Sequence, residues 1–275
     1  MLPVMPKIAQ EILSINLAAD EGDELLLELI MKDPAISARI TGLANSPVFH
    51  TSRKILTLSD AAAVLGIKRI KMISLGFAMV SSMPRKPPGL LDVLSLWRHS
   101  MALTLAMEVL SQAMPAGRRP PDEEMYLAGL LHDIGFLVLD YVDVELSNRF
   151  HARLAAEGGR VSSTELEAQM LEMNHCELGA LLAEYWNLTA NIVAVMRYHH
   201  SGRVPDGHVN DAAGQTLVAM SYLAQRLLPT FGMREVPTSD IKIEEWHALG
   251  IAEDQTEELE SNMCKCHDEF ILSFA

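Results

Sequence analysis

The residues in this chain that could do chemistry are a set of histidines in its second half, one of them followed directly by an aspartate. Neutral imidazole and carboxylate are ligands for divalent iron, manganese or zinc. A pair of such ions would polarise a phosphoryl oxygen and generate hydroxide near neutral pH. The predicted metal ligands are His99, His132, Asp133, His175, His199 and His200.

Each of these residues also has an explanation that needs no ion. His132 and Asp133 lie in the apolar stretch LLHDIGFLVL, where ionisable groups must be hydrogen-bonded, paired or metal-bound. A histidine that donates to a carbonyl, beside an aspartate that accepts from backbone amides, would satisfy both groups. His199 and His200 could simply favour the negative end of a helix dipole. Taken together, the order and helical placement of the set favour the metal.

The elements that must position these residues are helices. Apolar residues recur with helical spacing, and almost nowhere does a strand-like alternation occur, so we predict an all-α fold. In the first third of the chain, Pro6 should open a helix, Asp23 and Ser59 should cap two others, and Asp33-Pro34 should end one helix and start the next. Later helices are predicted at 91–114, 122–141, 143–157, 163–173, 175–187, 189–200, 210–228 and 253–273.

A proline-rich break predicts two lobes. The stretch from Met83 to Gly89 contains three prolines and a glycine in seven residues, so a helix cannot continue through it. We place the boundary there. The prediction is an N-terminal helical bundle at residues 1–90 and a second multi-helical lobe at residues 91–275 that carries the histidines.

Composition and charge indicate which binding partners and which cellular compartment to expect for this protein. The formal charge of -14 disfavours nucleic acid and anionic membranes, so a helix-turn-helix transcription factor is a weak hypothesis. No apolar run has the length of a membrane span, and the first residues lack a signal-peptide pattern. Three cysteines, Cys176, Cys264 and Cys266, are too few for a disulfide framework and are expected to be thiols. We predict a cytoplasmic protein.

The order of the histidines resembles the HD superfamily of metal-dependent phosphohydrolases, and the first lobe resembles its HDOD (HD-related output domain) branch. The HDOD-like motifs are LPVMP at residues 2–6, Asp33-Pro34-Ala35, Ala44-Asn45-Ser46 and SDAAAVLG at residues 59–66. The resemblance implies an N-terminal helical bundle packed on an HD-like domain. It also implies a bacterial cytoplasmic signalling module, of a kind generally without demonstrated hydrolysis.

The sequence departs from the catalytic HD pattern at one decisive position. Catalytic members need a closing aspartate on a later helix, and that position falls here on Gln225. An amide oxygen is neutral and binds a hard cation more weakly than a carboxylate does. Asp211 lies fourteen residues earlier and is expected to cap its helix instead.

The HD-GYP branch, which hydrolyses cyclic dinucleotides, also fits poorly. In that branch the histidine pair leads into a Gly-Tyr-Pro loop, whereas here it leads into SGRVPDGHVN. The glutamate expected four residues before the first histidine is Ser95. Cyclic-dinucleotide hydrolysis therefore loses its main support.

We therefore expect a regulatory protein that binds a protein partner and has no catalytic residues. Its six predicted ligands either keep a residual divalent metal (iron, manganese or zinc) or hold none. The alternative is a metal-dependent phosphohydrolase in which these ligands activate water and Gln225 is a tolerated substitution.

Overall fold

Every regular element that the structure describes is helical, so the all-α prediction is confirmed. The computed structural model describes residues 2–81, 83, 89–205, 207, 211–228 and 241–272, with side chains of the last helix described as far as Lys265. Short 3₁₀ turns lie at Pro47–Phe49, Ala116–Arg118 and Glu253–Gln255. The α-helices are α1 (Lys7–Ser14), α2 (Gly22–Met31), α3 (Pro34–Ala44), α4 (Leu58–Leu65), α5 (Ile67–Ser81), α6 (Val93–Ala113), α7 (Asp122–Leu131), α8 (Ile134–Val142), α9 (Val144–Glu157), α10 (Ser163–Met170), α11 (His175–Tyr185), α12 (Ala190–Tyr198), α13 (Ala212–Leu227), α14 (Ile243–Leu249) and α15 (Thr256–Leu272).

Helix starts in the first third follow local capping chemistry, with two corrections. Asp33 caps α3 by accepting from the amides of the second and third helical residues, and Pro34 occupies the first position, as predicted. The predicted cap Asp23 instead lies in the first turn of α2, where a carboxylate still favours the helix dipole. The predicted cap Ser59 lies inside α4, because the Thr57 hydroxyl two residues earlier caps that helix.

One hydrophobic core joins the first five helices to the rest of the described chain. Helix α5 is buried from Ile70 to Met79 and packs on α1, α3 and α7. Phe77 of α5 stacks on Trp97 of α6, with ring centroids 4.8 Å apart. The predicted division at residue 90 stays a prediction, since residues 84–88 of its linker lie outside the described part of the chain.

Both ends of the chain are tied to this core. The indole nitrogen of Trp186, just after α11, donates to the carbonyl of Pro3 at 2.9 Å. Helix α15 packs on α6 and on the 3₁₀ turn Pro47–Phe49. The N-terminal segment and the last helix therefore both contact elements on the far side of the predicted boundary.

The predicted helix 122–141 is wrong as a single element. It is two helices, α7 and α8, with a bend of 43° between their axes at His132 and Asp133. The apolar pattern continues through the break, so periodicity alone gives no sign of it. No single described helix has the length and apolar character of a membrane span, although the bent α7–α8 pair meets those criteria when its two halves are counted together.

Most other predicted helix limits differ from the structure by one to three residues, and two differences concern short helices. Helix α14 was not predicted, and it ends at Gly250, which has a positive φ of 77° that favours glycine. Helix α10 ends at Met170 rather than at residue 173. Both differences concern short helices whose apolar pattern is too brief to define their limits.

Gly135 allows the closest helix approach near the histidines. A Cβ atom at this position of α8 would collide with the backbone carbonyl of His175, at the start of α11. Only a residue without a side chain lets the two helices meet at this separation. Helix α8 thereby holds the first turn of α11 against the helix break.

We predict that Gly135→Ala destabilises the protein by about 1–3 kcal/mol or more, because the new methyl group displaces backbone rather than a flexible side chain. The matched control is Gly42→Ala on α3, where a Cβ meets nothing within 4 Å and the backbone is exposed. The control should stabilise by about 0.5–1 kcal/mol. Urea unfolding measures both, and equal effects would contradict the assigned role of Gly135.

Candidate metal centre

The structure brings the six residues predicted from the sequence into one buried cluster, although they come from widely separated parts of the chain. We call this group the histidine cluster. His99 lies on α6, the pair His132-Asp133 lies between α7 and α8, and His175 is the first residue of α11. His199 and His200 directly follow α12. The members are His99, His132, Asp133, His175, His199 and His200. Their role as ligands stays a prediction.

The carboxylate of Asp133 lies at the centre of this cluster, and each of its oxygens faces a different pair of rings. Oδ2 lies 3.1 Å from Nε2 of His132 and 3.5 Å from Nε2 of His99. Oδ1 lies 3.4 Å from Nε2 of His175 and 3.5 Å from Nε2 of His199. Asp133 is only 2% exposed. The single carboxylate of Asp133 therefore lies between two pairs of imidazoles and contacts both.

The helix break explains how two adjacent residues reach the same centre. Successive side chains on a regular helix point about 100° apart. At the break His132 keeps helical backbone angles, whereas Asp133 adopts φ -98° and ψ 11°. This change of direction places the two side chains within hydrogen-bonding range of each other.

Hydrogen bonds behind the rings fix which nitrogen faces the centre. Nδ1 of His132 donates to the carbonyl of Gly129 at 2.9 Å, and Nδ1 of His199 donates to the carbonyl of Met196 at 2.9 Å. When either ring is neutral it carries a single N–H, which these bonds hold at Nδ1, so its Nε2 atom then presents a lone pair to the cluster. Lone pairs that converge on one point require a cation or a proton between them.

Glu167 performs the same function for His175, and sequence reasoning missed it. This fully buried carboxylate on α10 accepts from Nδ1 of His175 at 2.7 Å and from its backbone amide at 2.8 Å. A carboxylate behind a ligating histidine orients the ring and makes it a stronger ligand. The only sequence signal nearby is the capping box of Ser162 and Glu165, which marks the helix without singling out Glu167.

Cys176 is a second member of the site that sequence reasoning missed. Cys176 was expected from the sequence to be an ordinary thiol. Its Sγ lies 3.5 Å from Nε2 of His175 and 3.8 Å from Nε2 of His199. Burial opposes the thiolate, but the charges of His199 and His175 outweigh it and lower the pKa of Cys176 to about 6. No second cysteine or spacing motif marks the residue in the sequence.

The charges inside the cluster are coupled. Burial favours a neutral Asp133, but the nearby histidines, above all the charge of His132, hold its pKa well below the usual value. Burial also favours a neutral His199, yet the Cys176 thiolate and the Asp133 carboxylate raise its pKa to about 10. Burial and the charge of His199 lower the pKa of His200, which stays neutral. The cluster therefore holds anions that stabilise positive charge.

Two buried atoms support a metal ion as the source of that positive charge. Nε2 of His132 and Oδ1 of Asp133 have no hydrogen-bond partner, although both are removed from solvent. Buried polar atoms without partners are rare and commonly mark an ion or a water site. The donors form two groups that could each hold an ion, His99–His132–Asp133 and His175–Cys176–His199–His200. Imidazole binds zinc and iron, carboxylate suits manganese, and thiolate favours zinc over manganese.

Gln225, at the predicted closing position, lies on α13, which packs on α12 and α6. Its side chain is buried, and its Nε2 makes no hydrogen bond to any residue that the structure describes. Asp211 caps α13 by accepting from the amide of Gly214 at 2.7 Å, as predicted. The helix predicted to supply a second aspartate has a neutral amide at the predicted position.

A family model described as "HDOD domain" matches residues 2–202 of this chain. An uncharacterized protein of Treponema pallidum (strain Nichols) is 27% identical over 210 residues, which cover 72% of this chain and 38% of that protein. The chain thus spans less than half the length of this relative.

Three solved structures are similar in fold. A Marinobacter aquaeolei VT8 protein described as "Putative signal transduction protein" has a TM-score of 0.78 at 22% identity, covering 98% of this chain and 58% of its own. An HDOD domain protein of unknown function from Geobacter sulfurreducens has a TM-score of 0.74 at 24% identity, covering 98% and 92%. A Shewanella amazonensis SB2B protein described as "Putative phosphohydrolase" has a TM-score of 0.69 at 22% identity, covering 100% and 95%. At these identities the likeness shows the shared all-α fold.

We predict that Glu167→Gln weakens binding of a divalent metal by about 10–100-fold, because the amide no longer polarises the His175 ring. Titration of metal-free protein with zinc or manganese measures the loss. The matched control is Glu165→Gln on the same helix, whose side chain is exposed and caps α10. Equal losses in both variants, or no loss in Glu167→Gln, would contradict metal binding through His175.

Proposed function

We propose that this chain, which belongs to the HDOD family, is a regulatory protein of the bacterial cytoplasm that acts by binding another protein. In this proposal the HD-like helices hold an ion without hydrolysing a substrate. Neither nucleic acid nor a membrane is a partner, consistent with the formal charge of -14.

The observation that carries the proposal is the number of carboxylates in the cluster. Among the described residues Asp133 alone brings a carboxylate to the Nε2 atoms, and Glu167 reaches His175 from the opposite side of its ring. The closing position holds the neutral Gln225. A two-ion hydrolytic centre for phosphate esters relies on anionic oxygens to hold hard cations and to balance their charge.

The spacing and burial of the donors also support an ion rather than a substrate. Nε2 of His175 lies 3.3 Å from Nε2 of His199 and 3.0 Å from Nε2 of His200. His132, His175 and His199 are each at most 1% exposed. Atoms this close can share one ion, whereas a phosphate ester would need a cleft between them and open coordination positions.

The alternative is a metal-dependent phosphohydrolase of the HD superfamily, and one observation favours it. The two oxygens of Asp133 face separate groups of imidazoles, as a carboxylate that bridges two ions would. A bound pair of ions would supply an activated water for attack on phosphorus. The residues of this chain would then hold the ions through His99, His132, Asp133, His175, His199 and His200.

We expect no turnover of phosphodiester substrates by protein purified without chelator and assayed with manganese, iron or zinc, because the site lacks a second carboxylate. His132→Ala provides the control for any trace activity. Metal at full occupancy together with turnover that disappears in His132→Ala would overturn the proposal in favour of the hydrolase. The positive half of the test is recovery of a protein partner with the intact chain from its own host, followed by binding of the purified pair.

We predict that Gln225→Asp increases metal affinity by roughly tenfold or more, because it adds a carboxylate where the catalytic HD pattern has one. The matched control is Gln215→Asp, which adds the same charge at an exposed position of the same helix. Competition with a chromophoric chelator measures both affinities. Unchanged affinity in Gln225→Asp would contradict the assignment of residue 225 to the closing position.

A further inference from the structure

Cys176 occupies a position in the histidine cluster that neither the family resemblance nor the proposed function explains. It is the second residue of α11, directly after His175, and its thiol is buried. Its Sγ and the ring nitrogens of His175, His199 and His200 all lie within 4.8 Å of one another. The thiol thus joins three imidazoles that already converge.

Four of the six distances between these donor atoms lie close to the edges of a tetrahedral zinc site. Zinc bonds of about 2.1 Å to nitrogen and 2.3 Å to sulfur give tetrahedron edges of about 3.4 Å between nitrogens and about 3.6 Å between nitrogen and sulfur. The nitrogen of His175 lies 3.3 and 3.0 Å from those of His199 and His200. Sγ of Cys176 lies 3.5 and 3.8 Å from the nitrogens of His175 and His199.

Two independent features point to a ligand at this place. Glu167 accepts a hydrogen bond from Nδ1 of His175, and a backbone carbonyl accepts one from Nδ1 of His199. The Nε2 atoms of both rings therefore face the thiol. Oδ1 of Asp133, 3.4 Å from Nε2 of His175, is buried and has no hydrogen-bond partner. A cation bound to the ring nitrogens would use their lone pairs and place positive charge beside this carboxylate.

We propose that Cys176 is a thiolate ligand, with His175, His199 and His200, of a zinc ion in this half of the histidine cluster. Thiolate is a soft ligand that favours zinc over manganese or magnesium, and the N-terminal turn of a helix stabilises its charge. The thiolate also supplies negative charge that the site lacks at Gln225. On binding, the proton of the thiol passes to solvent.

Four protein ligands complete a tetrahedral shell and leave no open position for water, which is the arrangement of structural zinc sites. The closed shell deepens the proposed function, because the non-hydrolytic role of the ion rests on that function. The identity of the four ligands does not rest on the proposed function, because a thiolate could bind zinc in either kind of protein.

Cobalt in place of zinc gives a direct readout of the thiolate. We expect the full-length chain loaded with Co²⁺ to show a sulfur-to-cobalt charge-transfer band in the near ultraviolet and the strong visible bands of a tetrahedral ion. Cys176→Ser should lose the charge-transfer band. Cys264→Ser, which alters an exposed thiol on α15, should keep it. Absence of the band in wild-type protein treated with Co²⁺, whether or not the metal binds, would overturn the proposal.

Metal preference provides the second readout. Cys176→Ser and Cys176→Ala should each lower zinc affinity by at least about tenfold while changing manganese affinity much less. Equal losses for both metals would indicate damaged packing and would contradict ligation by sulfur. Circular dichroism monitors the fold of the variants. If both Cys176 variants unfold, a band that persists when Cys264 and Cys266 are both changed to serine still assigns the sulfur to Cys176, and loss of the band in that protein would overturn the proposal.

The outcomes separate this inference from the proposed function. A charge-transfer band together with phosphodiester turnover would support the thiolate ligand and overturn the regulatory proposal. No band and no turnover would overturn the thiolate ligand and leave the regulatory proposal standing.

Discussion

The rest of the structure depends on the interaction between the buried carboxylate of Asp133 and the imidazoles around it. Removing an unpaired carboxylate from water costs several kcal/mol, so positive charge must stay beside it. Rings from α6, the α7–α8 break, α11 and the end of α12 provide this charge at 3.1–3.5 Å. These elements must therefore keep their relative positions, and the continuous hydrophobic core allows them to do so.

Several local features maintain that arrangement. The bend between α7 and α8 turns His132 and Asp133 towards one centre, and Gly135 lets α11 approach closely enough to add His175. Glu167 and backbone carbonyls then fix the orientation of the rings. Helix α11 also connects the cluster to the N-terminal segment, because Trp186 at its other end binds the carbonyl of Pro3. Helix α11 therefore contacts the cluster at one end and the N-terminal segment at the other.

The donor atoms of the cluster support our proposal that it holds an ion without hydrolysing a substrate. One carboxylate faces the imidazoles, the predicted closing position is Gln225, and the thiol of Cys176 lies against the ring nitrogens of two histidines. A hydrolytic site for phosphate esters holds two hard divalent cations and needs more anionic oxygen ligands. Imidazole and thiolate ligands suit a borderline-soft ion instead. A regulatory role built on a hydrolase-like scaffold is consistent with both features.

The sequence by itself determined the all-α class and the capping of α3 by Asp33, because periodicity and caps are local patterns. The six residues of the histidine cluster were predicted from their order along the chain and its resemblance to the HD superfamily, and the fold brings them together. The sequence did not determine the break inside 122–141, since apolar residues continue across it. Only the tertiary structure decided that Glu167 and Cys176 belong to the site. Their partners lie on other helices or on a different face of the same turn, and no spacing in the chain encodes contacts that packing alone creates.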